Sequence, residues 1–112
     1  MNLQKKRSEL IVVASLISKA PNLGGLARTC EIFGVENFFI SSLKLTENSE
    51  FKALSKTAEK WMKISEVKSW KLFEFLLGMK LQGYAIVGAE QCEKSVQLVE
   101  AKIPKKSVLL LG

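Results

Sequence analysis

One short stretch holds most of the chemistry this sequence offers: Asn22-Leu23-Gly24-Gly25-Leu26-Ala27-Arg28. A glycine inside a helix costs about 1 kcal/mol against alanine, so two adjacent ones in a first turn need a reason. Helical side chains lean toward the N-terminus, which places Arg28 over positions 24 and 25, both without side chains. A guanidinium there lies along the helix near its N-terminal N–H groups, where anions tend to bind. Glu31, three residues on, is positioned to hold it. Such an arrangement suits a phosphate or a developing oxyanion. A second reading is open at the same positions: Gly24 and Gly25 permit close helix–strand packing, and Arg28 and Glu31 form a surface ion pair.

The rest of the composition narrows the chemistry further. The chain has 112 residues with 17 Lys+Arg, 11 Asp+Glu and no His, for a formal charge of +6. All the acids are Glu, and the only arginines are Arg7 and Arg28. Without His or Asp there is no Ser-His-Asp triad, no Cys-His pair, no His-bearing zinc site and no phosphoryl-transfer Asp. Cys30 and Cys92 lie 62 positions apart and make no metal site. Cys30 falls on an apolar helical face and reads as a core side chain. No apolar run approaches the roughly 20 residues of a membrane helix, and no cleavable leader is evident. The default is a reducing compartment, cytoplasmic or nuclear. The positive charge is spread along the chain, as suits an anionic partner such as RNA or simply a solvated Lys-rich surface.

The elements that must position Asn22 and Arg28 follow from periodicity. Residues 10–17 are nearly continuously apolar and β-branched, a strand buried on both faces. Leu23, Leu26, Ala27, Cys30 and Phe33 then fall on one helical face, with Asn22 as N-cap and Gly34 as the stop. A strand is expected at 37–42. A helix is expected at 49–61, with Phe51, Leu54, Ala58 and Trp61 on one side, and a short strand within 62–67. Ser69 is expected to cap a third helix that ends before Gly83, with Trp70, Phe73, Leu76 and Leu77 toward the sheet. Strands at 84–89 and 107–111 follow, joined by a polar segment with room for one helical turn. This alternation predicts one α/β domain with a mainly parallel sheet and flanking helices. In such folds ligands bind beyond the C-terminal ends of the strands.

With the elements placed, the segment from Asn22 to Arg28, continued by Thr29-Cys30-Glu31-Ile32-Phe33-Gly34-Val35, resembles motif 1 of the SpoU/TrmH branch of the SPOUT RNA methyltransferases, N-x-G-x-x-x-R-x-x-x-x-x-G. Residues 7–17 precede it as they do in that family. Gly83-Tyr84-Ala85-Ile86-Val87-Gly88-Ala89-Glu90-Gln91 stands at the fourth-strand position, and Leu109-Leu110-Leu111-Gly112 looks like the opening of motif 2, L-G-N-E-x-x-G. The resemblance covers essentially the whole chain. It implies the SPOUT fold, with the N-terminal part of a single domain in these 112 residues, while the rest of motif 2, motif 3 and the knot-forming segment are missing.

What the resemblance implies about function is specific. S-adenosylmethionine would donate a methyl group to a ribose 2′-hydroxyl of tRNA, at a guanosine. Arg28 would be the catalytic arginine and Asn22 the asparagine that orders the active-site loop. Gly24, Gly25 and Arg28 would meet substrate. Val87, Gly88, Ala89, Glu90, Leu111 and Gly112 would contact the cofactor. A carboxylate at Glu90 or Glu93 suits the cofactor's ribose hydroxyls, or is a solvated loop charge. Family members act as dimers, so a homodimer on tRNA or another structured RNA is expected, with no metal and no membrane. A guanidinium stays protonated in proteins and is a poor base, so orienting the hydroxyl and stabilising its developing charge is the role expected of Arg28. The alternative from another class is a non-catalytic RNA-binding or interaction module that retains half of this fold.

Overall fold

In the computed structural model, residues 8–89 and 104–112 are described. The polar segment in which one helical turn was expected falls outside them, as do Arg7, Glu90, Cys92 and Glu93. Five strands form one sheet: β1 (Leu10–Val13), β2 (Asn37–Ile40), β3 (Ile64–Glu66), β4 (Ala85–Ala89) and β5 (Ser107–Leu111). Their order is β3-β2-β1-β5-β4, and every pairing is parallel. The helices are α1 (Ala20–Ile32), α2 (Ser49–Ser55) and α3 (Leu72–Leu81). The α/β architecture expected from the sequence is therefore the one observed.

The central strands β1 and β5 are covered on both faces, which is why they read as unbroken apolar runs. Leu10, Val12 and Ala14 join Phe38, Ile40, Leu109 and Leu111 in a core with Leu23, Leu26, Ala27 and Cys30 of α1 and Phe51 of α2. On the other face Ile11, Val13 and Val108 pack with Leu72 and Met79 of α3, and Phe39, Phe75, Leu76 and Leu110 border them. The rings of Phe39 and Phe75 meet at 4.6 Å between centroids.

Several boundaries differ from expectation, β2 for example ending at Ile40 and not at residue 42, and four of the differences have a clear local reason. β1 ends at Val13 and not at residue 17: the Ala14 N–H donates to Phe39 O (2.8 Å), and the chain then turns, with Ile17 N–H on Ala14 O (3.1 Å). Buried Ser15 pins that turn by donating its hydroxyl to Val67 O (2.6 Å). α1 starts two residues before Asn22, because Pro21 suits the first turn, where no N–H partner is needed. Lys19 is its N-cap, without a side-chain hydrogen bond, and Asn22 lies inside the helix. At the other end Gly34 has φ +68°, the left-handed stop that glycine adopts freely.

The expected helix over 49–61 is broken. α2 stops at Ser55, Lys56 and Thr57 both take left-handed backbone (φ 52° and 68°), and a single 3-10 turn follows at Ala58–Lys60. Leu54 and Trp61 are consequently exposed, while Phe51 and Ala58 are buried. Ser69 does not cap α3; it opens a 3-10 turn, Ser69–Lys71, that leads into it. α3 also presents a different face from the one expected. Leu72 and Met79 are buried, whereas Trp70, Phe73 and Leu77 are 75%, 79% and 48% exposed.

Candidate functional site

α1 divides its residues between two tasks. Leu23, Leu26, Ala27 and Cys30 are buried in the core, and Gly24 is buried with them against α2. A β-carbon built on Gly24 would sit 3.0 Å from Cα and the carbonyl carbon of Phe51, and nearer still to its carbonyl oxygen. Position 24 is therefore bare because α2 crosses it, a helix–helix contact where the sequence suggested either a berth for Arg28 or helix–strand packing. That burial removes the Gly24 side-chain position from any substrate surface. Gly25 is half-buried, and its carbonyl accepts from the Thr29 hydroxyl (3.1 Å).

Asn22 and Arg28 both stand on the exposed part of α1. Six residues separate them, about 9 Å along a helix axis. The ion pairs among the described residues are Lys68–Glu66 and Lys71–Glu74, so Arg28 is in neither, and the expected pairing with Glu31 is not among them. The guanidinium of Arg28 is left available to an external anion.

Because all five strands run parallel, their C-terminal ends share one edge of the sheet. Among the described residues, clefts open there, and two of them bear on the site. In the first, of about 220 Å³, Asn22 faces Gly112 across Leu16, Ile17, Ser18 and Lys19. These groups are ninety residues apart in sequence and meet because β5 lies beside β1 in the sheet. The second, of about 540 Å³, is lined by Ser18, Ser41, Ser42, Lys44, Glu47 and Asn48. Ser18 lines both. Arg28 lines neither. The second cleft was not anticipated from the sequence, in which serines and lysines after a strand look like any solvated loop.

The residues expected at the cofactor lie together at the same edge. Gly88 pairs with Leu110 and Ala89 with Leu111, and the Gly112 N–H extends the ladder to Ala89 O (3.2 Å). Gly88 is exposed, with nothing within 4 Å of a β-carbon built there. Leu111 is fully buried, so its side chain is closed to any ligand. Val87 and Ala89 are half-buried on the edge strand. Glu90 lies outside the described residues. The backbone is open at Gly88 and Gly112, and a β-carbon built on Gly112 would lie 3.4 Å from Cδ1 of exposed Leu16.

Cys30 is buried in the α1 core, and that burial pushes its thiol far up, away from reactivity. No group of three or more His, Cys, Asp or Glu able to hold a metal occurs among the described residues. No helix among them is long and apolar enough to cross a membrane.

A five-stranded parallel sheet with α1 and α2 on one face and α3 on the other defines the class, an α/β fold. Residues 9–112 match the SpoU rRNA Methylase family, and the chain belongs to it. It is 46% identical over 110 residues to the tRNA (guanosine(18)-2′-O)-methyltransferase TARBP1 of Mus musculus, covering 98% of this chain and 7% of that protein. It is 43% identical over 107 residues to the tRNA (guanosine(18)-2′-O)-methyltransferase of Saccharomyces cerevisiae, covering 95% and 8%. The chain thus spans less than a tenth of the length of these two relatives. Among solved structures, the TrmH/SpoU tRNA modifying enzyme of A. aeolicus superposes with a TM-score of 0.72 at 26% identity, over 96% of this chain and 54% of that one. The AdoMet-bound rRNA methyltransferase from Sinorhizobium meliloti shares the fold, with a TM-score of 0.64 at 15% identity, over 97% and 41%.

Proposed function

We propose that this chain forms part of an S-adenosylmethionine-dependent methyltransferase acting on a ribose 2′-hydroxyl of tRNA, at a guanosine. One observation carries the reading. Asn22 and Gly112 line a common cleft at the ends of β1 and β5, and Arg28 stands exposed six positions further along α1, outside both ion pairs of the described residues, in a chain 46% identical to a tRNA guanosine-18 2′-O-methyltransferase.

The cofactor, when bound, supplies an electrophilic methyl group on a sulfonium. Backbone groups of Val87, Gly88 and Ala89 on β4 and of Leu111 and Gly112 on β5 would hold it. Asn22 orders the loop after β1 from its place in the cleft. Arg28 offers a planar, permanently charged fork of donors to the ribose 2′-oxygen as that oxygen gains negative charge. The hydroxyl proton passes to a neighbouring RNA phosphate, because a guanidinium cannot accept it. Since Arg28 is exposed and lies outside both clefts, a second copy docked along α1 would enclose it; a homodimer is part of the proposal. So is a cytoplasmic or nuclear location, where tRNA is available.

The test is a methylation assay on unmodified tRNA with the full-length natural protein, read as 2′-O-methylguanosine by nucleoside mass spectrometry. Arg28→Ala is expected to lower kcat by about 10²–10³, with the melting temperature unchanged because the side chain is exposed. Arg28→Lys keeps the charge and loses the fork; a wild-type rate in that variant would overturn the role given to the guanidinium. Absence of methylated guanosine with the unaltered protein would overturn the function.

A further inference from the structure

The larger cleft, between the loop after β1 and the loop after β2, belongs to none of the residues that the family motifs single out. It is built firmly. The Leu43 N–H donates to Glu66 Oε1 (2.9 Å), and the Lys44 N–H donates to Ser42 Oγ (3.3 Å). Asn48 Oδ1 accepts from the N–H groups of Glu50 (2.7 Å) and Phe51 (3.4 Å), which caps α2. Glu66, Ser42 and Asn48 are therefore committed to holding the backbone, and the wall they support is fixed before any ligand arrives.

The remaining groups are differently placed. Among the described residues, no hydrogen bond engages the hydroxyl of Ser18 or Ser41. Lys44 and Glu47 take part in neither of the ion pairs found there. One ammonium, one carboxylate and two hydroxyls thus face a cleft of about 540 Å³ without protein partners. The ammonium and the hydroxyls are donors that suit a phosphate, and serine and lysine make such contacts to nucleic-acid backbones routinely. The carboxylate only accepts, and so it repels phosphate but suits a sugar hydroxyl. That combination selects RNA, whose 2′-hydroxyl is the donor that DNA lacks. Ser18 lines this cleft and also the one that holds Asn22 and Gly112, so a strand lying in the first continues into the second.

We propose that this cleft binds the phosphate and ribose of an RNA nucleotide adjacent to the one being methylated, with Lys44 on the phosphate, Ser18 and Ser41 donating to it, and Glu47 accepting from the ribose hydroxyl. The inference rests on the tRNA reading above and adds the path of the strand across the sheet edge.

Binding of a labelled unmodified tRNA transcript, followed by fluorescence anisotropy from 50 to 200 mM salt, tests it on the full-length protein. Loss of one phosphate contact makes the slope of log K against log salt shallower by about 0.7–1, and that change is expected for Lys44→Met. Ser41→Ala is expected to weaken binding at every salt concentration without changing the slope. Lys80→Met, on α3 behind the sheet, serves as the charge control and is expected to leave the slope within error. If Lys44→Met behaves as Lys80→Met does, the cleft is not on the RNA path, while salt-dependent binding by the unaltered protein preserves the tRNA reading. If the unaltered protein shows no salt-dependent binding, the tRNA reading itself fails and the proposal falls with it. All these side chains but half-buried Ser41 are exposed, and thermal melts separate loss of binding from loss of fold.

Discussion

Three glycines lie inside helices of this fold, and two of them, Gly24 and Gly78, should respond to the same substitution with opposite signs. Gly24 of α1 faces Phe51 of α2, where an added β-carbon comes within 3.0 Å of two backbone carbons. Carbon atoms in contact normally stand about 3.5–4.0 Å apart, so α2 must retreat by roughly 0.5–1 Å. The obstacle is main chain, which has no rotamer with which to move aside, and the surrounding Leu23, Leu26, Ala27 and Phe51 are all buried. Overpacking of this kind costs about 3 kcal/mol at the upper end, and the gain in helix propensity returns about 1 kcal/mol. Gly24→Ala is therefore expected to be destabilising by about 2 kcal/mol. For a domain near this size, with about 4 °C lost per kcal/mol, the melting temperature should fall by about 8 °C. Gly78 of α3 has nothing within 4 Å of a built β-carbon, so Gly78→Ala should gain about 0.5–1 kcal/mol from propensity alone. Thermal and urea melts of the two variants against the unaltered chain decide the matter. A Gly24→Ala chain as stable as the unaltered one would refute close packing as the reason for glycine at position 24 and return that position to the substrate surface.

Two further expectations concern stability. Ser55 is fully buried and donates its hydroxyl to Glu59 Oε1 (2.7 Å). Partial burial pushes the Glu59 carboxyl up, but the Ser55 hydroxyl, its own backbone N–H, Lys52 and Lys60 outweigh it and hold the carboxyl below its ordinary 4.5. A lowered carboxylate contributes stability that is complete above the unfolded-state value and is lost as pH falls through the folded-state one. Ser55→Ala should therefore cost about 1–2 kcal/mol at pH 7, with a smaller difference in urea midpoint at pH 3 than at pH 7. On α3, Phe73→Ser should stay within about 0.5 kcal/mol of the unaltered chain, because the ring is 79% exposed. Leu72→Ala, one residue earlier and only 8% exposed, should cost about 2–5 kcal/mol; the ranking of the two melting temperatures checks which face of α3 meets the sheet.

α3 marks the limit of what apolar periodicity can reveal. Leu72, Phe73, Phe75, Leu76, Leu77, Met79 and Leu81 leave almost no polar face, so spacing alone does not choose a stripe. The sheet chooses it: Leu72, Phe75, Leu76 and Met79, at i, i+3, i+4 and i+7, are the residues that meet the core strands. α1, with its polar and charged residues kept to one side, was legible in the sequence, and so was the order of strands and helices. Only its start was displaced, because Asn22 is a good cap in isolation, while Pro21 is better used inside the first turn. The break after Ser55 carried no glycine to announce it; Lys56 and Thr57 adopt left-handed backbone without the residue type that normally signals it. The motif residues could be read because their types are unusual for their positions. Ser18, Ser41, Lys44 and Glu47 could not, because nothing in a loop sequence says that two loops after different strands will close on one cleft.

The division of labour on α1 follows from these positions and limits how the helix can vary. Its buried face is set by packing, with Leu23, Gly24, Leu26, Ala27 and Cys30 against α2 and the sheet. Its open face carries Asn22 and Arg28, whose side chains contribute nothing to that packing. Substitutions on the first face change stability and move the second face with it, since a retreat of α2 shifts the cap at Asn48 and the wall of the larger cleft. Substitutions on the second face are expected to leave stability unchanged, because Asn22 and Arg28 are exposed. Gly24 thus holds the open face in place without reaching it, so under the proposed function the motif glycine and the motif arginine, four residues apart, would serve by unrelated physical means.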